Sequence, residues 1–208
     1  MSRELSAYHR QVAADNRAAI LDAATGLFLE LGYERTSLAK VAERGGVSKA
    51  TLFKQFPTKA ELFEAIVLGA GNAEDSEAVE PPAGDFHSGL VVIGLAYAEV
   101  LGHPRMTDLI RAVITESARF PELREQTFNF GTLPVLRALR AFLESTDASG
   151  ETRIDDFDVA AAQFLGMIAT VVFWPRLVHV GWSLTDEETR RTVDEAAKTI
   201  VARYGAGD

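Results

Sequence analysis

Apolar positions recur at helical spacing along almost the whole chain. Ile20, Leu21, Ala24, Leu27, Phe28 and Leu31 fall at i, i+1, i+4, i+7, i+8 and i+11, one stripe of an amphipathic helix. Gly32 supplies a stop, because glycine accepts the left-handed backbone that commonly follows a helix end. A second short helix after Thr36 turns Leu38, Val41 and Ala42 inward and ends at Gly45-Gly46. Ser48 is an N-cap for a third helix that buries Leu52 and Phe56, and Pro57 breaks the chain again. Thr58 and Glu61 have the spacing of a capping box, which opens a fourth helix carrying Leu62, Phe63, Ile66 and Val67.

Residues 71–86 are acidic, bear proline and glycine, and lack any period. They predict a loop and a boundary between a domain over 10–70 and a second over 71–208. Beyond it Leu90, Ile93, Tyr97, Val100 and Leu101 form one stripe, and Met106, Leu109, Ile110, Val113 and Ile114 another. Pro121 suits the first turn of a helix running toward Leu143, with a kink expected at Pro134 and a loop over 145–150. Asp155, Asp156 and Asp158 place negative charge at the start of a long apolar helix, favourable to its dipole. Thr185 and Glu188 form a second capping box before a last helix with Val193, Ala197, Ile200, Val201 and Tyr204. No stretch alternates cleanly enough for a strand, so the predicted fold is all-α: an N-terminal three-helix domain with a helix-turn-helix, then a larger helical domain.

The second and third helices have the makings of a DNA reader. Val41 and Ala42 can pack against Val47 and Leu52, and Gly46 can take positive φ in the turn. That leaves Lys49, Ala50, Thr51, Phe53, Lys54 and Gln55 partly outward beside the cap Ser48. Small residues at 50 and 51 permit close approach to base edges. Thr51 can hydrogen-bond a base or phosphate and touch a thymine methyl, and Lys54 and Gln55 are candidate base or phosphate contacts. Lys59, in the first turn of the fourth helix, is a candidate phosphate contact, as are Thr36, Ser37 and Lys40 flanking the groove.

Charge supports the same reading only when it is taken locally. The chain carries a formal −9. Yet residues 35–59 hold Arg35, Lys40, Arg44, Lys49, Lys54 and Lys59 against Glu43 alone, a local +5. Residues 71–208 hold 12 Lys/Arg against 22 Asp/Glu, a local −10. Screening confines the acidic body's repulsion to a Debye length of ~8–10 Å, so a basic face on it can still bind phosphate.

From Ile20 to Val67 the chain resembles the DNA-binding domain of the tetracycline-repressor (TetR) family. The residues that carry the likeness are Ala23-Ala24, Leu27-Phe28, Gly32-Tyr33, Thr36-Ser37, Val41-Ala42, Gly46-Val47-Ser48, Thr51-Leu52-Phe53, Phe56, Lys59 and Leu62-Phe63, at ungapped spacing. Three positions depart from the family's habit. Gly45 stands where alanine is common, Phe53 where a tyrosine hydroxyl is expected to touch phosphate, and Gln55 where histidine is usual. The resemblance implies a second, helical domain that binds a small molecule and dimerises through its last two long helices. It also implies double-stranded DNA with a palindromic operator as partner, a repressor's role and no cofactor.

The aromatic and polarizable residues of that second domain suggest an apolar pocket: Tyr97, Met106, Phe128, Phe130, Met167, Phe173 and Trp174, with His103 and Arg176 as polar anchors. The small residues Ala162, Gly166 and Ala169, with Val193, Ala197 and Ile200 on the last helix, are the expected dimer face. Enzyme chemistry finds no foothold in the pattern. The four histidines lack paired metal spacing, and no nucleophile elbow or phosphate loop occurs. The absence of cysteine fits a reducing cytoplasm, and no apolar run is long enough to predict a membrane span. A constitutive DNA binder without an effector, and a helical-bundle enzyme or carrier with an incidental basic segment, remain as alternatives.

Overall fold

A computed structural model of the chain describes residues 2–71, 81–82, 84–123, 134–179 and 181–206. Ten helices are described. They are α1 (Ser2–Arg35), α2 (Leu38–Arg44), α3 (Lys49–Gln55), α4 (Lys59–Gly71), α5 (Phe86–Gly102), α6 (Pro104–Glu116), α7 (Pro134–Ala148), α8 (Phe157–Val172), α9 (Trp174–Val178) and α10 (Asp186–Tyr204). Among the described residues no strand forms beyond one isolated bridge, Thr152 to Gly205. The chain divides into two compact units, residues 1–69 with 108–129, and residues 70–107 with 130–208.

In the first unit α1 is interrupted at Gly32, whose φ of 80° and ψ of 168° leave the helical region. The apolar stripe read from the sequence is the core here: Ile20, Ala24, Phe28, Val41, Leu52, Leu62 and Phe63 are all buried. Phe28, Tyr33 and Phe63 meet as an aromatic cluster, with ring centroids 5.3–5.7 Å apart. The helix extends far upstream of that stripe, through a polar segment in which the sequence offered no period.

In the second unit α5 crosses α8 and α10 at close range. A Cβ on Gly94 would lie 2.6 Å from Val193 and 2.9 Å from Phe164, so only glycine fits. Leu90, Ile93, Leu139, Phe164, Ile168, Val193, Ala197 and Ile200 make its core. Asp156 caps α8 by accepting from the backbone N–H groups of Asp158 and Val159, at 3.0 Å each. Thr185 and Glu188 complete the predicted capping box at α10. Pro134 opens α7, where the sequence suggested a kink. α7 runs on to Ala148, through most of the loop expected over 145–150, before Gly150 turns at φ 82°.

Gly89 sits under the Phe142 ring, where a Cβ would come within 2.1 Å of the ring edge. Gly89→Ala should therefore destabilise the protein by about 1–3 kcal/mol. Adding Phe142→Leu should recover part of the loss. Denaturant midpoints of the two variants check this.

Candidate nucleic-acid interface

The turn before α3 is built from backbone hydrogen bonds. Val47 N–H donates to Ala42 O at 3.0 Å and Gly46 N–H to Glu43 O at 3.2 Å, with Gly46 at φ 65°. This paired arrangement closes a helix end around a left-handed glycine. Gly45 itself is right-handed (φ −80°, ψ −1°). A Cβ there would stand 3.2 Å from the Ala19 carbonyl oxygen, so glycine at this position serves the close approach of α1 to α2, not the turn. Arg44 ties the same two helices by a bidentate pair to Glu30, at 2.7 and 2.6 Å.

Ser48 caps α3, accepting from Thr51 N–H at 3.0 Å, and its hydroxyl lies 2.8 Å from the Thr51 hydroxyl. Leu52 and Phe56 are buried and hold the helix down. Lys49, Ala50, Phe53 and Lys54 are exposed, with Thr51 and Gln55 half-buried beside them. Phe53 keeps 49% of its surface, an apolar ring presented to solvent. Gln55 Nε2 donates to the Ala13 carbonyl at 3.5 Å, reaching back to α1. Ser37 caps α2 and is exposed, and Lys40 Nζ donates to Arg35 O at 3.1 Å.

Two residues expected to grip phosphate are spent inside the fold. Thr36 is 1% exposed, and its hydroxyl donates to the carbonyls of Leu27 (3.0 Å) and Gly32 (2.9 Å). It donates to carbonyls in the last turns of α1 and is not on the surface. Lys59 is half-buried. Its ammonium donates to Tyr33 O at 2.7 Å and Glu34 O at 3.4 Å, and sits 4.2 Å from the Tyr33 ring centroid. A cation at the C-terminal end of α1 is favoured by the helix dipole. Burial pulls its pKa below the ordinary lysine range, against the charges of Glu122, Glu116 and Glu34. The sequence shows that a lysine is present, not which way it points.

The residues expected to line a ligand pocket are scattered in exposure. Met106 and Phe173 are buried, and Tyr97 and Met167 half-buried. Burial pushes the Tyr97 phenol up to about 12. His103 is exposed at the end of α5, with Nδ1 accepting from Arg105 N–H. Trp174 keeps 57% of its surface, so neither acts as an interior anchor. Arg176 donates to Gly102 O at 2.7 Å. Phe128 and Phe130 lie outside the described residues. For the dimer face, Val193, Ala197 and Ile200 are at most 1% exposed and belong to the unit's own core, which corrects that expectation. Ala162 and Gly166 are exposed, and Ala169 is half-buried.

Comparison with known proteins agrees with this geometry. Residues 20–66 match the family described as "Bacterial regulatory proteins, tetR family". Residues 88–206 match the "AefR-like transcriptional repressor, C-terminal domain". The chain belongs to the TetR family of bacterial transcriptional regulators. It is therefore a DNA-binding helix-turn-helix regulator, a family of regulators and not of enzymes. Among TetR-type relatives, the uncharacterized regulator YvkB of Bacillus subtilis is 35% identical over 50% of this chain and 53% of its own. That match spans only about half of the relative's length. YhgD of the same organism, also uncharacterized, is 25% identical over 78% of this chain and 85% of its own. The solved TetR-family regulator from Pseudomonas syringae pv. tomato superposes with TM-score 0.68 at 27% identity, over 92% of this chain and 97% of that one. The flavonoid-responsive regulator FrrA gives 0.73 at 28%, over 93% and 98%. Among the described residues no single helix is long and apolar enough to cross a membrane, and no group of His, Asp or Glu could hold a metal.

Thr36→Val keeps the shape but removes the buried hydroxyl that donates to the Leu27 and Gly32 carbonyls. It should cost about 1–3 kcal/mol of stability, read as a lowered Tm. Thr51→Ala combined with Lys54→Ala should weaken binding to a cognate duplex with helical content intact, which fluorescence anisotropy and circular dichroism check together.

Proposed function

We propose that this chain is a homodimeric repressor that reads a palindromic operator through α3 and releases it when a small, largely apolar effector binds. In this reading residues 10–70 meet the DNA, and residues 71–208 bind the effector and dimerise in the cytoplasm. The observation that carries it is α3 itself. Only one stripe of the helix is anchored, and its opposite side offers Lys49, Ala50, Phe53 and Lys54 to solvent, with Ser48 and Thr51 hydroxyls beside them. The match of residues 88–206 to a domain described as a repressor's supports repression over activation.

Dimerisation is supported by the outward face of α8. Val159 is 47% exposed, Ala162 and Gly166 are exposed on the same side, and nothing lies within 4 Å of where a Gly166 side chain would begin. A face this small and apolar suits close approach of a symmetric mate. Two recognition helices ~34–36 Å apart would then meet successive turns of the major groove. FrrA is named for its response to flavonoids, which favours an aromatic effector here. The half-buried Tyr97 phenol, its pKa raised by burial, can donate a hydrogen bond to one. An effector preferring a different spacing of the two readers releases the operator in proportion to its differential affinity.

Light scattering should find a dimer, and Gly166→Glu should yield a folded monomer with much weaker operator binding. Operator affinity should fall steeply with salt, and Lys54→Ala should lower the slope of log K against log salt by about one. A flat salt response in the wild-type protein would contradict the phosphate contacts.

A further inference from the structure

An open groove of about 500 Å³ runs between the first half of α1 and α3. We infer that it seats one sugar–phosphate strand of the bound duplex, so that the helix upstream of residue 20 is a second wall of the DNA interface. This rests on the reading of α3 as the helix that enters the major groove. The matched family segment begins at residue 20, so one wall comes from chain outside it.

The chemistry of the lining suits a phosphodiester. His9, Asn16 and Arg17 face the groove from α1, and Thr51, Lys54 and Gln55 from α3. All six can donate hydrogen bonds, and the lining contains no carboxylate. Asp15, the nearby acid on α1, accepts from Gln11 Nε2 at 2.9 Å and is not part of the lining. Between the donors the α1 wall is apolar at Val12, Ala13 and Ala14, a surface against which a deoxyribose can lie. None of the lining residues is buried. That argues for an extended occupant that passes through, because a small-molecule site encloses most of its ligand.

The two walls are fixed to each other. Gln55 donates to the Ala13 carbonyl, and the Arg17 guanidinium stacks 4.7 Å over the ring of Phe56, just past the end of α3. A helix in the ~12 Å wide major groove is flanked by the phosphate strands that form the groove's sides. With α3 in the major groove, the groove beside it takes one of those strands.

The test uses the full chain and a duplex that the wild-type protein selects from a random-sequence pool. Ala14→Glu places a carboxylate in the groove at an exposed helical position and should weaken binding about tenfold or more. Arg17→Gln should lower the salt slope by about one. Phosphate-ethylation interference should lose, in Ala14→Glu, a set of positions on one flank of the site. Circular dichroism and Tm confirm folding, and Ala14→Glu decides alone if loss of the Phe56 contact loosens Arg17→Gln. Wild-type affinity and slope in both variants, with weakened binding in Lys54→Ala, would overturn the inference and leave the α3 reading standing. A wild-type protein that selects no duplex would overturn both.

Discussion

A helix of seven residues cannot hold itself together in water, yet α3 must present its side chains rigidly to another molecule. Everything around it compensates for that shortness. The Ser48 cap supplies the first turn, the paired hydrogen bonds around Gly46 fix the angle of entry, and Leu52 and Phe56 anchor one stripe in the core. α1 and α2 are in turn clamped by Arg44 and Glu30 and by the close pass at Gly45. The three departures from the family pattern fall on this frame. The structure gives two of them a place: Gly45 serves helix packing, and Gln55 reaches back to α1.

The sequence revealed what depends on periodicity and local chemistry. The stripe from Ile20 to Leu31, the caps at Ser48 and Thr185, and the double-glycine turn can each be read from neighbours a few positions away. Direction could not. Thr36 and Lys59 are donors of the right kind in the right neighbourhood, and only tertiary packing turns them toward the carbonyls at the end of α1. Nor does a helix apolar on nearly every side announce which side is inward. α8 sends Phe164 and Ile168 into the core and leaves Ala162 and Gly166 outside. On α10 the residues chosen for an interface are the ones its own unit consumes. The helical run before residue 20 has no apolar stripe, so pattern alone passed over it.

Local charge also needed the structure. Of the six cations between residues 35 and 59, Arg44 is paired with Glu30 and Lys59 is bonded to α1, whereas Lys49 and Lys54 project from α3. The effective basic surface is thus smaller than the count suggests, and it is concentrated on the reading helix. An acidic body does not cancel so compact a source, because salt screens at the scale of one helix diameter.

The position of Lys59 has an implication for any alanine scan of basic residues. Its ammonium also lies 5.8 Å from the centroid of Phe120, in the segment that follows α6 and belongs to the same unit. Removing it loosens the seam between the start of α4, the end of α1 and that aromatic ring at once. A lost gel shift in such a variant would then look like a missing phosphate contact while reporting a slackened scaffold. Within this unit, the lysine behaves as a keystone and not as a fingertip.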